Sequence, residues 1–196
     1  MSSTDTYRVN EIFYSLQGEG YHTGTPAVFI RLSGCNRACP FCDTDFSSFT
    51  EMSSADIVAE VRKYPTQHVI ITGGEPTMQL GGGHDGLLRD LKAHNYYIHM
   101  ETNGSLPVSP LVDWVTCSPK KPPYGIDRID ELKLVYQGQD MEHFIAEFSP
   151  KFNRCNATPL FLQPCSGENI PQTIEYILNH PHWRLSLQTH KLLDIR

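Results

Sequence analysis

Ala27-Val28-Phe29-Ile30-Arg31-Leu32-Ser33-Gly34-Cys35-Asn36-Arg37-Ala38-Cys39-Pro40-Phe41-Cys42 runs from an apolar segment into three closely spaced cysteines. The first six residues read as a β-strand, and Gly34 ends it. The cysteines then follow on one loop with the spacing C-x3-C-x2-C. Three thiolates can hold three irons of a cubane iron–sulfur cluster. The fourth iron is then open to a small molecule, whereas ordinary cluster sites supply four cysteines. Zinc is the competing metal, because His22 or another histidine could complete a four-ligand site.

Outward from this loop, short apolar runs alternate with helical patterns. Ser53 or Ser54 reads as the N-cap of a helix to about Lys63, with Ile57, Val58 and Val61 on one side. Val69-Ile70-Ile71-Thr72 is a β-branched strand cut off by Gly73-Gly74. Helices are predicted over residues 85–94, 141–148 and 171–179, and strands over 97–101, 114–117, 132–135, 160–162 and 183–187. This alternation implies βαβ units and a mainly parallel sheet. The units are too few for a closed eight-stranded barrel of about 250 residues. The predicted fold is therefore α/β, a partial, open β/α barrel, in one domain spanning residues 1–196.

In such sheets ligands bind at the carboxyl ends of the strands. The unusual residues of the chain fall at those ends: Arg31 and the cysteines, Gly73-Gly74-Glu75-Pro76, Thr102-Asn103-Gly104, Ser118-Pro119-Lys120, Gln163-Pro164 and Gln188-Thr189-His190-Lys191. One common site is expected. The glycine-rich stretch from Leu80 to Gly86 follows Gly-Gly-Glu-Pro and is expected to bear on one wall of it.

Composition narrows the function classes. The net charge of −6 comes from 22 acidic and 16 basic residues, and no basic run stands out, which disfavours direct nucleic-acid binding. No apolar stretch approaches the roughly 20 residues of a membrane span. Met1 to Thr6 is polar and lacks a signal-like apolar core, so a cytoplasmic location without a membrane role is expected. Thiols stay reduced there. Cys117, Cys155 and Cys165 lack ligand spacing and are expected to be small buried hydrophobes. The nine histidines also lack ligand spacing and read as core or surface residues.

Gly-Gly-Glu-Pro alone is a turn, and Cys-Pro-Phe-Cys alone is a redox dithiol or half a zinc site. In this order, at consecutive strand ends, Cys35, Cys39, Cys42 and Gly73-Gly74-Glu75-Pro76 resemble the radical S-adenosylmethionine (SAM) enzymes. The resemblance implies a 4Fe–4S cluster on the three cysteines, with SAM chelating the open iron and yielding a 5′-deoxyadenosyl radical when cleaved. Phe41 would pack near the adenine. Side chains at Gly73 and Gly74 would keep the backbone from the methionyl group.

A narrower resemblance lies in Glu11-Ile12-Phe13-Tyr14-Ser15-Leu16-Gln17-Gly18-Glu19-Gly20, in Gly24 to Leu32, in Cys42-Asp43-Thr44 and in Arg184 to Lys191. These segments resemble the 7-carboxy-7-deazaguanine synthase family, over nearly the whole chain. That family contracts the ring of 6-carboxy-5,6,7,8-tetrahydropterin to 7-carboxy-7-deazaguanine, with release of ammonia and help from magnesium, in queuosine (7-deazapurine) biosynthesis. By matching motif, the resemblance assigns Leu16, Gln17, Gly18, Arg31, Thr72 and Arg196 to the pterin, and Thr44 to Mg2+. It assigns Phe41, Cys42, Asp43, Gly74, Ser118, Pro119, Lys120, Phe161, Leu162, Gln163 and Pro164 to SAM. The guanidinium fork of Arg31 suits a carboxylate, although a surface ion pair is the plainer role. For Thr44 the plainer role is a helix or turn cap. Glu75 and Glu101 are candidates to orient the site, with a solvated or capping role as the alternative, and no general base is assigned. The resemblance further implies a homodimer and an external electron donor of flavodoxin-like or ferredoxin-like type. A glycyl-radical activase and a zinc-stabilised binding module remain the alternatives.

Overall fold

The computed structural model describes residues 5–42, 44–45, 47–153 and 158–196. In chain order these form β1 (Thr6–Leu16), β2 (Pro26–Leu32), β3 (Thr50–Ser53), α1 (Ser54–Val61), β4 (His68–Gly73), α2 (Gly86–Ala93), β5 (Tyr97–Thr102), β6 (Trp114–Cys117), β7 (Glu131–Tyr136), α3 (Glu142–Phe148), β8 (Leu160–Pro164), α4 (Ile170–Asn179), β9 (Trp183–Leu185) and α5 (Thr189–Leu193). Among the described residues the strands make one sheet in the order β3-β1-β2-β4-β5-β6-β7-β8-β9. From β2 to β9 through β4 every neighbouring pair is parallel. β1 lies antiparallel on β2, and β3 antiparallel on β1. The sheet is the mostly parallel one of a partial β/α barrel.

The predicted elements recur within a few residues, and α1 shows why. Ser53 accepts from the Asp56 N–H at 3.2 Å, and the Asp56 carboxyl faces back to Ser53 N at 3.4 Å. That reciprocal cap starts the helix one residue later, and Ile57, Val58 and Val61 then point inward. β1, β3 and α5 were not among the predicted elements. β1 carries Arg8, Asn10 and Glu11 among its apolar residues, and its register shifts between Val9 and Glu11. That irregularity disrupts the two-residue alternation that marks a strand.

The two faces of the sheet differ sharply. Val28, Ile30, Leu32, Val69, Ile71, Ile98, Met100, Val115, Cys117, Leu132, Leu134 and Leu162 belong to one apolar cluster with Ile57, Val61, Leu87, Leu91 and Phe148 of the helices. The intervening residues include His68, Thr72, His99, Glu101, Trp114, Thr116, Glu131, Lys133 and Gln163. Parallel sheets usually bury apolar residues on both faces. Here the concave face is largely polar, with a small apolar patch of Phe13, Ala27, Phe29 and Ile70.

The β1–β2 connection closes the amino-terminal end of this concavity. Its hairpin is held by Gln17 N–H to Thr25 O at 2.9 Å and Gly24 N–H to Gln17 O at 2.7 Å. The Tyr21 ring stacks on Trp114 at 4.9 Å, and the His22 ring lies 5.1 Å from His68 and 5.2 Å from His99. His68, Tyr97, Trp114 and Glu131 are the first residues of their strands, so this loop is a floor. Gly20 is required here: at φ +67 any Cβ would fall 2.0 Å from Glu131 Oε1.

Burial holds the three floor histidines below their ordinary pKa, with neighbouring imidazoles adding to the effect at His68 and His99; His68 falls to about 4. The unfolded chain protonates these rings near 6.5, before the folded protein does. The unfolded state thus binds more protons in that window, and stability is lost as pH falls from about 6.5 towards about 4. His68→Gln is expected to flatten this part of a melting-temperature profile. An unchanged acid slope would remove His68 as a source of it.

Candidate active site

At the carboxyl ends of the strands, above the floor, lies a cavity of about 520 Å³. Leu16, Gln17, Gly18, Arg31, Cys35, Cys39, Phe41, Cys42, Thr44, Thr72, Gly74, Ser118, Lys120, Gln163, Pro164 and Arg196 all line it. Residues from across the chain therefore share one space. Pro119, Phe161 and Leu162 do not line it. Leu162 points into the apolar cluster beneath the helices, and the Phe161 ring is covered by the Arg184 guanidinium at 4.9 Å. Asp43 and Cys155 fall outside the described residues. None of residues 80–86 lines the cavity, and Leu80 is packed in the core.

The edge carrying the glycines is set by the neighbouring strand end. Gly74 N–H donates to Leu32 O at 3.0 Å and Glu75 N–H to Gly34 O at 2.9 Å. A Cβ on Gly73, which has φ +124, would sit 2.1 Å from Leu32 O, and one on Gly74 would sit 1.9 Å from Gly34 O. Backbone meeting backbone demands glycine there, apart from any ligand. Beyond it Glu75 is fully buried. Its carboxyl accepts from Thr77 N and Oγ1 at 3.1 and 2.7 Å, from Thr102 Oγ1 at 2.7 Å and from Asn103 N at 2.7 Å. Glu75 thus caps the short turn at Pro76–Met78 and ties it to the loop after β5, so its role is capping and positioning rather than solvated.

Cys35 and Cys39 are half-buried, Cys42 is exposed, and none of the three is in a disulfide. Burial pushes the Cys35 thiol up, opposed by the Arg37 N–H 3.4 Å from its sulfur. Among the described residues no three His, Cys, Asp or Glu side chains converge where one ion could sit. A cubane asks something different, since each thiolate binds its own iron. Three thiols facing one cavity fit that donor set. Beside them Lys120 Nζ donates to Ser118 Oγ at 2.7 Å and lies 5.6 Å above the Phe41 ring. Burial and the charge of Lys133 hold Lys120 below its ordinary pKa.

Arg31 donates through Nε to Glu11 Oε1 at 2.8 Å, and its Nη1 reaches Thr44 Oγ1 at 3.5 Å. The other Glu11 oxygen accepts from Arg196, and both guanidinium groups lie over the Phe13 ring. Arg196 O accepts from Ser15 Oγ, which keeps this residue at the cavity. The plain ion-pair role of Arg31 is therefore present, on a side chain that also faces the cavity.

Lys133 and Glu19, which the sequence reading did not single out, also line the cavity. Lys133 Nζ donates to Glu19 Oε2 at 2.5 Å and to Glu101 Oε1 at 3.3 Å. Glu101 also accepts from Gln17 Nε2 and Thr72 Oγ1, each at 3.1 Å, and Glu19 accepts from Gln163 Nε2 at 3.3 Å and Gln188 Nε2 at 2.9 Å. Burial alone would lower the Lys133 pKa, but Glu101, Glu19 and Glu131 raise it well above the usual lysine value. Burial likewise opposes ionisation of Glu101, and Lys133, Thr72 and Gln17 outweigh it, leaving the group below its ordinary pKa. The available signal was the lone charge of Leu132-Lys133-Leu134-Val135, since a buried lysine needs partners.

A family model described as the Radical SAM superfamily matches residues 29–132. The chain is 54% identical over 190 residues to the 7-carboxy-7-deazaguanine synthase of Bacteroides thetaiotaomicron, covering 96% of this chain and 98% of that one. It is 44% identical to the protein of that name from Neisseria meningitidis, over 96% and 94% of the two chains. The crystal structure of QueE from Escherichia coli superposes with a TM-score of 0.76 at 30% identity, covering 93% of each chain. No helix of the described residues is long and apolar enough to cross a membrane.

Proposed function

Because the chain belongs to the radical SAM superfamily and, within it, to the 7-carboxy-7-deazaguanine synthase family, we propose that it contracts 6-carboxy-5,6,7,8-tetrahydropterin to 7-carboxy-7-deazaguanine with release of ammonia. The observation that carries this reading is that the three cysteines, Arg31 and the Gln17–Thr72–Glu101 group open onto one cavity. The cluster and SAM, when bound, supply the electron and the hydrogen-abstracting radical. Cys35, Cys39 and Cys42 hold the cluster. Phe41, Cys42, Gly74, Ser118, Lys120, Gln163 and Pro164 would surround SAM, while Asp43, Pro119, Phe161 and Leu162 are assigned to it by the family resemblance alone. Leu16, Gln17, Gly18, Thr72 and Arg196 enclose the pterin. Arg31 would pair with its carboxylate, and the Thr44 hydroxyl, a hard oxygen donor, would be the protein's ligand to Mg2+. No side chain is assigned as a general base. The same reading carries a flavodoxin-like or ferredoxin-like electron donor and a homodimer.

The test is anaerobic turnover of carboxytetrahydropterin with SAM and a reductant, after reconstitution with measured iron and sulfide. Deazaguanine product is expected; no product from protein with a full cluster overturns the reading. Arg31→Ala is expected to raise KM for the pterin by about 30-fold or more, the cost of removing charged hydrogen bonds. SAM cleavage without substrate should persist. Unchanged substrate affinity would leave the Glu11 pair as the role of Arg31.

A further inference from the structure

One lysine at the cavity faces three carboxylates. Lys133 is almost fully buried, in ion-pair contact with Glu19 and Glu101, and Glu131 adds a third negative charge. The strand places it on the concave face, between Leu132 and Leu134 of the apolar cluster. Taking an ammonium group out of water is costly, and only good pairing recovers that cost.

Glu101 gives this pairing a purpose. Its carboxyl lines the cavity, and all three of its protein contacts are donors: Gln17 Nε2, Thr72 Oγ1 and Lys133 Nζ. Left to burial, a carboxyl takes its neutral form and offers an O–H in place of an acceptor. An aminopyrimidine edge presents N–H groups and requires an acceptor. Glu19 is the second arm, because its Oε1 accepts from Gln163 on β8 and from Gln188 just before α5. His190, Lys191 and Arg196, which follow Gln188, reach the same cavity.

We infer that Lys133 is a positioning residue: it holds Glu101 as a carboxylate turned to the N–H edge of an aminopyrimidine, and fixes Glu19 as the clasp between β8 and the segment from Gln188 onward. The identity of the ligand rests on the synthase reading; the role of the lysine does not. The charged groups around Glu101 are Lys133, Glu131 and Glu19, with Lys120 further along the cavity, while burial keeps His99 neutral. Lys133 is thus the cation in ion-pair contact with Glu101. Without it, burial and the two neighbouring carboxylates act together to protonate Glu101.

The experiment compares Lys133→Met, Lys133→Arg and the double variant Lys133→Met/Glu101→Gln in full-length, reconstituted protein. Infrared titration of carboxyl groups is one readout and the pH dependence of KM is the other. In Lys133→Met a new carboxyl is expected to protonate above the ordinary glutamate range, and this signal should vanish in the double variant. KM for carboxytetrahydropterin should rise about 30-fold or more, most steeply at the acid end. Lys133→Arg should recover most of the affinity. A carboxyl titration like that of the parent protein, with an unchanged KM profile, overturns the inference. Should Lys133→Met fail to fold, folding of the double variant supports the charge balance, and failure of Lys133→Arg and the double variant alike overturns it. Loss of turnover in the parent protein, with the infrared change intact, removes the synthase reading and leaves the lysine's role standing.

Discussion

Gly74→Ala is expected to lower turnover by about 100-fold or more, the scale on which an ångström of misplacement acts at an active site. The added methyl would lie 1.9 Å from Gly34 O, 2.4 Å from Gly34 C and 3.0 Å from Cys35 N. All three are backbone atoms, so no side chain can swing aside. The end of β4 must part from the residues that lead into the cysteine loop, breaking the hydrogen bonds of Gly74 to Leu32 and Glu75 to Gly34. Cys35 moves with them. Iron and sulfide content after reconstitution is therefore expected to fall together with turnover. Parent-like turnover with a full cluster would show that the contact relaxes without reaching the site.

Glu75→Ala should be the most destabilising of these changes. Four hydrogen bonds converge on a side chain with no solvent exposure. Truncation leaves their donors buried without an acceptor, at about 3–5 kcal/mol after partial relaxation. For a chain of this size that lowers the melting temperature by on the order of 10 °C. Glu75→Gln keeps one acceptor oxygen and is expected to lose about half as much. A shift within about 3 °C for the alanine variant would mean that Thr77, Thr102 and Asn103 find other partners. Loss of the tie should also loosen the Asn103 loop, whose Nδ2 reaches Asn36 Oδ1 beside Cys35 at 2.9 Å.

The parallel core was legible because β-branched runs such as Val69-Ile70-Ile71 and the cap at Ser53 are local signals. The cysteine loop and the glycine edge were legible because their spacing is itself the chemistry. β1 was not, since its polar residues, of which Asn10 and Glu11 line the cavity, blur its alternation. Distance in the chain hid the rest. Glu19 meets Lys133, Gln163 and Gln188 at separations of 114, 144 and 169 residues, which no spacing rule detects. Gly73 and Gly74 carried a further lesson. Their lack of side chains was predicted to make room for a ligand, and the neighbouring strand end already demands it.

The loop that stops the concavity from below has a consequence for how this chemistry can diversify. The cysteine loop and the Gly73–Gly74 edge come from the carboxyl ends of strands, whereas Gln17, Gly18 and Glu19 rise from a hairpin at the other end. Depth and radical supply are thus separate inheritances. A change in the length of one hairpin can deepen or shorten the space for a substrate while the machinery opposite stays as it is.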